Sequence, residues 1–195
     1  DKIKFIKKIV KIADVILIGG AMAFTFLKMN GYDIGLSYFD SESIVHAEKI
    51  FKYALKKNKK IILPIDIVVA LEMKENAPFR TTGIDKINNN EAGYDIGPET
   101  VSIFKSELDN AKMVLWNGPL GVSELENFSN GTKSIASFLY DKTKKGAVTI
   151  IGGGDTSASL KKMNYGNSFT HLSTGGGASL HLMSGENLPA INILS

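Results

Sequence analysis

The chain has 195 residues, which is enough for one domain with a substantial buried core. It contains no cysteine, so disulfide scaffolds, thiolate metal sites and thiol nucleophiles are excluded, and no apolar run is long enough to cross a membrane. The net charge of +3 is too small to favour a nucleic-acid partner, and Arg80 is the only arginine among 23 basic residues.

Helical and strand patterns alternate along the chain. Helices are predicted at 2–12, 21–30, 41–57, 98–110, 130–143, from about 156 to 162 and from about 176 to 183. Strands are predicted at 14–18, 60–63, 65–71, 112–116, 147–151 and 169–172. Ser41 is the expected N-cap of the third helix, and residues 76–97 are expected to form an ordered loop or a small antiparallel excursion. This alternation predicts an α/β fold: one three-layer, Rossmann-like domain over residues 1–195, with a mainly parallel sheet and helices on both faces.

Four glycine-containing segments each follow a predicted strand. They are IGGA (18–21), NGPLG (117–121), GGGD (152–155) and TGGG (174–177). In a parallel sheet the carboxyl ends of the strands share one edge, where α/β folds bind their ligands. Glycine allows tight turns and close approach to the backbone, and helix N-termini attract anions. The helices that begin near Thr156 and Gly176 are therefore the best candidates for binding phosphate.

The residues alone leave alternatives open. Each glycine segment is also explained by a tight strand-to-helix turn, and Asp155 is either a helix cap or a ligand of Mg²⁺. The chain lacks the G-x-x-x-x-G-K-[ST] phosphate loop, and no G-x-G-x-x-G follows the first strand. A regulatory nucleotide-binding module and a dinucleotide-dependent oxidoreductase domain are the two rival interpretations.

Four motifs in order resemble one family. IGGAMAFTFLK (18–28), WNGPLGV (116–122) with Glu124, IIGGGDTSA (150–158) and HLSTGGGASL (171–180) together resemble the C-terminal, nucleotide-binding domain of phosphoglycerate kinase. The resemblance covers essentially the whole chain. It implies a cytoplasmic, monomeric glycolytic enzyme that reversibly transfers a phosphoryl group from 1,3-bisphosphoglycerate to ADP, giving 3-phosphoglycerate and ATP.

The resemblance also implies a role for each matching position. ADP or ATP is the expected nucleotide and Mg²⁺ the expected metal, held by Asp155. Lys2, Gly176 and Gly177 are implied for the phosphoryl group in transfer, with Lys2 also on the α-phosphate. The expected nucleotide-binding residues, from adenine to phosphates, are Gly20, Ala21, Tyr38, Gly93, Tyr94, Asn117, Pro119, Gly121, Val122, Glu124, Gly153, Gly154 and Thr156. Glu124 is implied for the ribose hydroxyls.

Some positions depart from the family's pattern. Ala21 stands where many members have glycine, and Tyr38 and Tyr94 stand where smaller aliphatic residues are common. The 3-phosphoglycerate site needs arginines, and the resemblance places it, like the first phosphate-binding lysine, on an N-terminal part that is absent from this sequence. The expected partner is that N-terminal domain, and Arg80 is expected to be an ordinary surface residue. His46, His171 and His181 are expected to be structural or on the surface.

Overall fold

The computed structural model describes residues 2–173, which form six α-helices and eight β-strands. The helices are α1 (Lys2–Ile9), α2 (Gly20–Met29), α3 (Ile44–Lys56), α4 (Pro98–Leu108), α5 (Asn130–Lys144) and α6 (Gly154–Lys162). The strands are β1 (Val15–Leu17), β2 (Lys60–Ile62), β3 (Asp66–Ala70), β4 (Phe79–Gly83), β5 (Ala92–Ile96), β6 (Met113–Asn117), β7 (Val148–Gly152) and β8 (His171–Leu172). A 3₁₀ turn covers Glu126–Phe128. The predicted α/β class, with parallel strands accompanied by helices, is confirmed.

These residues group into two compact units. Unit one comprises the residues up to Glu107 together with Leu120–Ile135, and unit two comprises Leu108–Pro119 together with the residues from Ala136 onward. The loop at 117–121 therefore contributes its first three residues to unit two and its last two to unit one. One domain over residues 1–195 stays a prediction.

Unit one contains two small sheets. In the first, β1 and β2 are parallel, with Leu17 opposite Ile62. In the second, β3 lies between β4 and β5 and is antiparallel to both, which confirms the predicted antiparallel excursion within 76–97. All of β3 is buried, because Ile67 and Val69 pack in one hydrophobic cluster and Val68 and Ala70 pack in another.

Unit two is built on a parallel sheet in the order β6-β7-β8. Asn117 at the end of β6 is paired with Gly152 at the end of β7, and Ile151 is paired with Leu172 of β8. The loops after β6 and β7 consequently leave the same edge, as predicted. Among the described residues β1 pairs with β2 in a separate sheet of unit one, so a shared edge stays a prediction for the first glycine segment.

Several helix boundaries differ from the sequence prediction by one to three residues. α1 ends at Ile9 instead of residue 12, and α6 begins at Gly154, two residues before Thr156. Ser41 is not the N-cap of α3, because the helix begins at Ile44 and Ser43 occupies that position. The reason is the Asp40 carboxylate, which accepts hydrogen bonds from the Glu42 N–H and the Ser43 hydroxyl and so forms a turn before the helix.

Candidate functional site

In unit two, the turn from β7 into α6 depends on Gly153. This residue has φ +99° and ψ 137°, a conformation that side chains disfavour, and it is the N-cap of α6. A Cβ added there would lie 3.0 Å from Oδ1 of Asn117, so the Asn117 side chain lies beside the turn. Asn117 and Gly153 are thus brought together, as the sequence predicted.

Thr156 joins this turn to the preceding glycine loop. Its hydroxyl oxygen accepts a hydrogen bond of 2.8 Å from the Gly118 N–H, and its side chain is completely buried. Gly118 also accepts a 2.7 Å hydrogen bond at its carbonyl from the indole N–H of Trp116. The Thr156 side chain therefore fixes the loop after β6, while the backbone N–H of Thr156 belongs to the first turn of α6, which lacks intrahelical acceptors.

Asp155 is the second residue of α6 and is exposed, like Gly154 before it. The helix cap is Gly153, so Asp155 does not occupy the capping position. Among the residues that the structure describes, its carboxylate has no hydrogen-bond or ion-pair partner. A free carboxylate beside the N–H groups of a helix N-terminus suits a cation that is itself bound to phosphate.

The last glycine segment starts at the end of β8. Ser173 donates its backbone N–H to the Ile151 carbonyl at 2.9 Å, and its own carbonyl accepts a 2.8 Å bond from the Ser157 hydroxyl. Ser173 is therefore held against both β7 and α6. Gly176 and Gly177 lie outside the described residues.

In unit one, Gly20 is the first residue of α2 and has φ +60°. Its N–H donates a 3.1 Å hydrogen bond to the Leu120 carbonyl. A Cβ on Gly19 would lie 2.6 Å from Cδ2 of Leu120, so this glycine is needed for close packing. Ala21 is exposed immediately beyond this contact. Lys2 is the first residue of α1, and its side chain lies outside the described part of the chain.

Gly93 on β5 has a packing explanation. A Cβ there would overlap Cζ of Phe24 and lie 2.7 Å from Cγ2 of Ile67, both of which are core side chains. The Gly93 N–H donates a 2.9 Å bond to the Ser37 hydroxyl oxygen. Tyr38 follows Ser37 with 74% of its surface exposed, so the structure brings the Tyr38 and Gly93 segments together.

A second group of predicted residues meets beside β5. The Val122 N–H donates a 2.8 Å bond to the Tyr94 carbonyl, and the Tyr94 ring lies 4.9 Å from the ring of Phe128. Burial raises the pKa of the Tyr94 phenol. Pro119 is half-buried and Glu124 is exposed. Gly121 faces inward, where a Cβ would overlap Oδ1 of Asp95.

Sequence reasoning missed Asp95, which is 3% exposed within β5. Its carboxylate accepts backbone N–H bonds from Gly131 at 2.7 Å and Ile96 at 2.9 Å. Burial raises the pKa of the Asp95 carboxyl to about 7, and the two backbone bonds oppose that rise. The only sequence signal was an acidic residue near the end of the 76–97 stretch, followed by Gly97-Pro98.

The single arginine is not available for an acidic substrate. Arg80 donates from Nε and Nη2 to the two carboxylate oxygens of Glu91, at 2.8 and 2.6 Å, and Glu91 is buried. Arg80 is partly exposed, as predicted, but it stabilises the β4–β5 region through this two-pronged pair. His46 and His171 are exposed, in agreement with a surface role, and His181 lies outside the described residues.

Two features are absent from residues 2–173. No helix there combines the length and apolar character that a membrane span requires. That part of the chain also has no cluster of three or more histidine or acidic side chains suited to a metal. A magnesium site that uses one carboxylate and phosphate oxygens does not need such a cluster.

Comparison with known proteins identifies the family. The family model described as phosphoglycerate kinase matches residues 1–186. The phosphoglycerate kinase of Chlorobium chlorochromatii is 44% identical over 194 residues, which cover 100% of this chain and 49% of that protein. That of Fusobacterium nucleatum is 46% identical over 195 residues, covering 100% and 48%.

Solved structures give the same result for the fold. The structure of phosphoglycerate kinase from Coxiella burnetii matches with a TM-score of 0.88 at 39% identity, over 99% of this chain and 48% of that one. The enzyme from Pyrococcus horikoshii matches with a TM-score of 0.75 at 29% identity, over 98% and 48%. This chain spans about half the length of the curated relatives it matches. It belongs to the phosphoglycerate kinase family.

Proposed function

We propose that this chain is the C-terminal, nucleotide-binding half of a phosphoglycerate kinase and that it binds Mg-ADP and Mg-ATP. The observation that carries the proposal is the N-terminus of α6: Gly153 forms the turn beside Asn117, and Asp155 presents an exposed carboxylate that no other described residue engages. A cytoplasmic, monomeric enzyme is proposed from the family resemblance alone.

The phosphates are assigned to the first turn of α6. The N–H groups of Gly154, Asp155 and Thr156 belong to that turn, and an α-helix offers no internal acceptors for them. They therefore favour an anion, and the helix dipole adds to the attraction. The Asn117 side chain supplies a further polar group beside Gly153.

Mg²⁺ fits Asp155 by the chemistry of the donor. The carboxylate is an oxygen ligand, it is exposed, and it is not engaged by another described residue. When bound, Mg²⁺ would neutralise charge on the phosphate oxygens. The contribution of this chain is to hold the carboxylate on the first turn of a nine-residue helix whose glycine N-cap leaves the approach open.

The base and ribose are assigned to residues of unit one. Gly20 and Ala21 begin α2, while Tyr38, Gly93 and Tyr94 lie on or beside β5. The remaining assigned residues are Gly121, Val122 and Glu124 in unit one and Pro119 in unit two. The support for these assignments is the resemblance, together with the hydrogen bonds that join Gly20 to Leu120 and Val122 to Tyr94.

The reaction proposed for the whole enzyme is the reversible transfer of a phosphoryl group between 1,3-bisphosphoglycerate and ADP. Such transfers depend on positioning and charge neutralisation. Lys2, Gly176 and Gly177 are proposed to contact the transferred group. The acid substrate calls for arginines, and Arg80 is already paired with Glu91. We therefore expect the chain alone to bind nucleotide and to turn over little or none.

Calorimetric titration with Mg-ADP tests the proposal. Asp155→Ala should weaken binding about tenfold or more in Mg²⁺, and the difference should largely disappear when EDTA removes the metal. Glu99→Ala is the matched control, because Glu99 is also an exposed carboxylate in the first turn of a helix, α4. Absence of Mg-ADP binding, or an equal loss in both variants, would refute the proposal.

A second titration tests the ribose assignment and the rival ligand. Glu124→Ala should weaken ADP more than it weakens 2′,3′-dideoxy-ADP, because the lost hydrogen bonds would be those to the ribose hydroxyls. NAD⁺ should bind more weakly than Mg-ADP to the unmodified chain. Tighter binding of NAD⁺ would favour a dinucleotide-binding domain instead.

A further inference from the structure

The segment Leu120–Val122 is held by hydrogen bonds at successive backbone groups. The Leu120 N–H donates a 3.0 Å bond to the hydroxyl oxygen of Thr132, in the first turn of α5. The Leu120 carbonyl accepts the 3.1 Å bond from the Gly20 N–H, and the Val122 N–H donates to the Tyr94 carbonyl. The segment thus links the start of α5 to the start of α2 and to β5, all within unit one.

Thr132 is the side chain that accepts the first of these hydrogen bonds, from the Leu120 N–H. It is 0% exposed, so water cannot replace its hydroxyl oxygen as the acceptor for the Leu120 N–H. A buried N–H that loses its acceptor carries the full penalty of desolvation. The position of Leu120, and with it the N–H of Gly20, consequently depends on one threonine hydroxyl.

Asp95 fixes the turn on which Thr132 sits. Its carboxylate accepts the 2.7 Å bond from the Gly131 N–H, one residue before Thr132. Gly121 packs directly over that carboxylate, since a Cβ on Gly121 would overlap Oδ1 of Asp95. Asp95 therefore contacts both the first turn of α5 and the segment that Thr132 holds.

We propose that Thr132, held in place through Asp95, is a positioning residue for nucleotide binding: it sets the backbone of Leu120–Val122 and the first residue of α2. This inference rests on the proposed function, because Gly20, Gly121 and Val122 are the residues assigned to the nucleotide. Thr132 itself is buried and would touch neither nucleotide nor metal.

The alternative is that Thr132 only stabilises the fold, and a matched residue separates the two roles. Thr100 is also 0% exposed and also lies in the first turn of a helix, α4. Its hydroxyl oxygen likewise accepts backbone N–H bonds, from Ile65 at 3.0 Å and Asp66 at 3.2 Å. These bonds hold the start of β3 and not the Leu120–Val122 segment, so loss of the Thr100 hydroxyl should affect stability alone.

The experiment measures the Kd for Mg-ADP and the Tm of Thr132→Val, Thr132→Ser and Thr100→Val. Valine keeps the size of threonine without the acceptor, and serine restores the acceptor. We expect Thr132→Val to raise Kd about tenfold, Thr132→Ser to remain within about twofold, and Thr100→Val to lower Tm with Kd unchanged. Amide hydrogen exchange of Leu120 and Gly20, without nucleotide, should accelerate in Thr132→Val only.

The results that would overturn the inference are distinguishable from failure of the proposed function. If the unmodified chain binds Mg-ADP and Thr132→Val binds it equally well, the positioning role is wrong and the nucleotide site stands. Equal losses of affinity in Thr132→Val and Thr100→Val would reduce the effect to general destabilisation. If the unmodified chain does not bind Mg-ADP, the proposed function fails and this inference fails with it. If Thr132→Val does not fold, Thr132→Ala, which has the higher helix propensity, is measured at low temperature in its place, and unchanged affinity there would overturn the inference.

Discussion

The substitution Gly93→Ala tests whether glycine is required at this position by core packing or by ligand binding. The added methyl group would overlap Cζ of Phe24 and approach Cγ2 of Ile67 to 2.7 Å. Neither side chain has room to move away, because both belong to the same buried cluster. Forcing one methyl group into a filled core costs about 1–3 kcal/mol, and the rigid ring places this site near the upper end. We expect the free energy of unfolding to fall by about 2–3 kcal/mol.

A second substitution, at Phe24, should compensate for the overlap that Gly93→Ala creates. Phe24→Leu removes the Cζ atom and should cost about 1–2 kcal/mol alone, but when it is combined with Gly93→Ala it relieves the overlap. The double variant should therefore be more stable than the sum of the two losses by about 1 kcal/mol or more. Gly31→Ala is the control: its φ of +87° costs backbone strain, but a Cβ there meets nothing within 4 Å, so it should show no coupling to Phe24→Leu.

Urea denaturation followed by circular dichroism gives the free energies of unfolding of the unmodified chain, the two single variants and the double variant. Mg-ADP titration of the same four proteins gives their affinities. Gly93→Ala should affect unfolding strongly. Unchanged unfolding combined with a large loss of nucleotide affinity would refute the packing explanation. It would assign Gly93 directly to the adenine.

Three further predictions concern charge and backbone strain. Arg80→Ala should lower the free energy of unfolding, measured in urea at pH 7, because it leaves the Glu91 carboxylate without its two-pronged partner. Arg80 lowers the pKa of Glu91, so the stability from this pair is present above about pH 4.5 and is lost as the pH falls; the variant should show a weaker acid dependence. The pH dependence from Asp95 has the opposite direction, because folding raises the pKa of this carboxyl from 3.8 to about 7. Between these two pH values the free energy of unfolding should decrease with rising pH, by up to about 4 kcal/mol. Asp95→Asn should remove most of this pH dependence. Gly153→Ala should cost about 2 kcal/mol through its φ of +99° and should also weaken Mg-ADP in calorimetry, because the turn would move from Asn117.

Most secondary structure could be predicted because its signals are local. The apolar runs before the glycine segments gave β1, β6 and β7 to within about one residue at each end. The predicted start of α3 was wrong because Ser41 and Ser43 are the same residue type and are therefore equally suitable as N-cap. The choice between Ser41 and Ser43 depends on where the Asp40 side chain turns, which residue type alone does not determine.

The candidate site was predictable only where conformation follows from residue type. A glycine between a strand and a helix implied the turn at Gly153, and the structure has that turn with a positive φ. Asp95 and Thr132 were missed because their partners are distant in sequence: the Gly131 N–H is 36 residues from Asp95, and the Leu120 N–H is 12 residues from Thr132. No periodic pattern encodes such contacts.

The glycines of this chain separate into two kinds by what surrounds them. Gly93 and Gly121 face buried groups, the Phe24 ring and the Asp95 carboxylate, so their lack of a side chain is already explained by the protein itself. At the start of α6 the surroundings differ, because Gly153 needs its unusual dihedral angles and is followed by two exposed residues, one of them an aspartate whose carboxylate no other residue of 2–173 engages. Packing explains the first kind; for the second, the turn explains the dihedral angles of Gly153, and the proposed anion with its counter-ion would account for the exposed carboxylate. The substitution Gly93→Ala should therefore act mainly on folding, and Gly153→Ala should act on folding and nucleotide binding together.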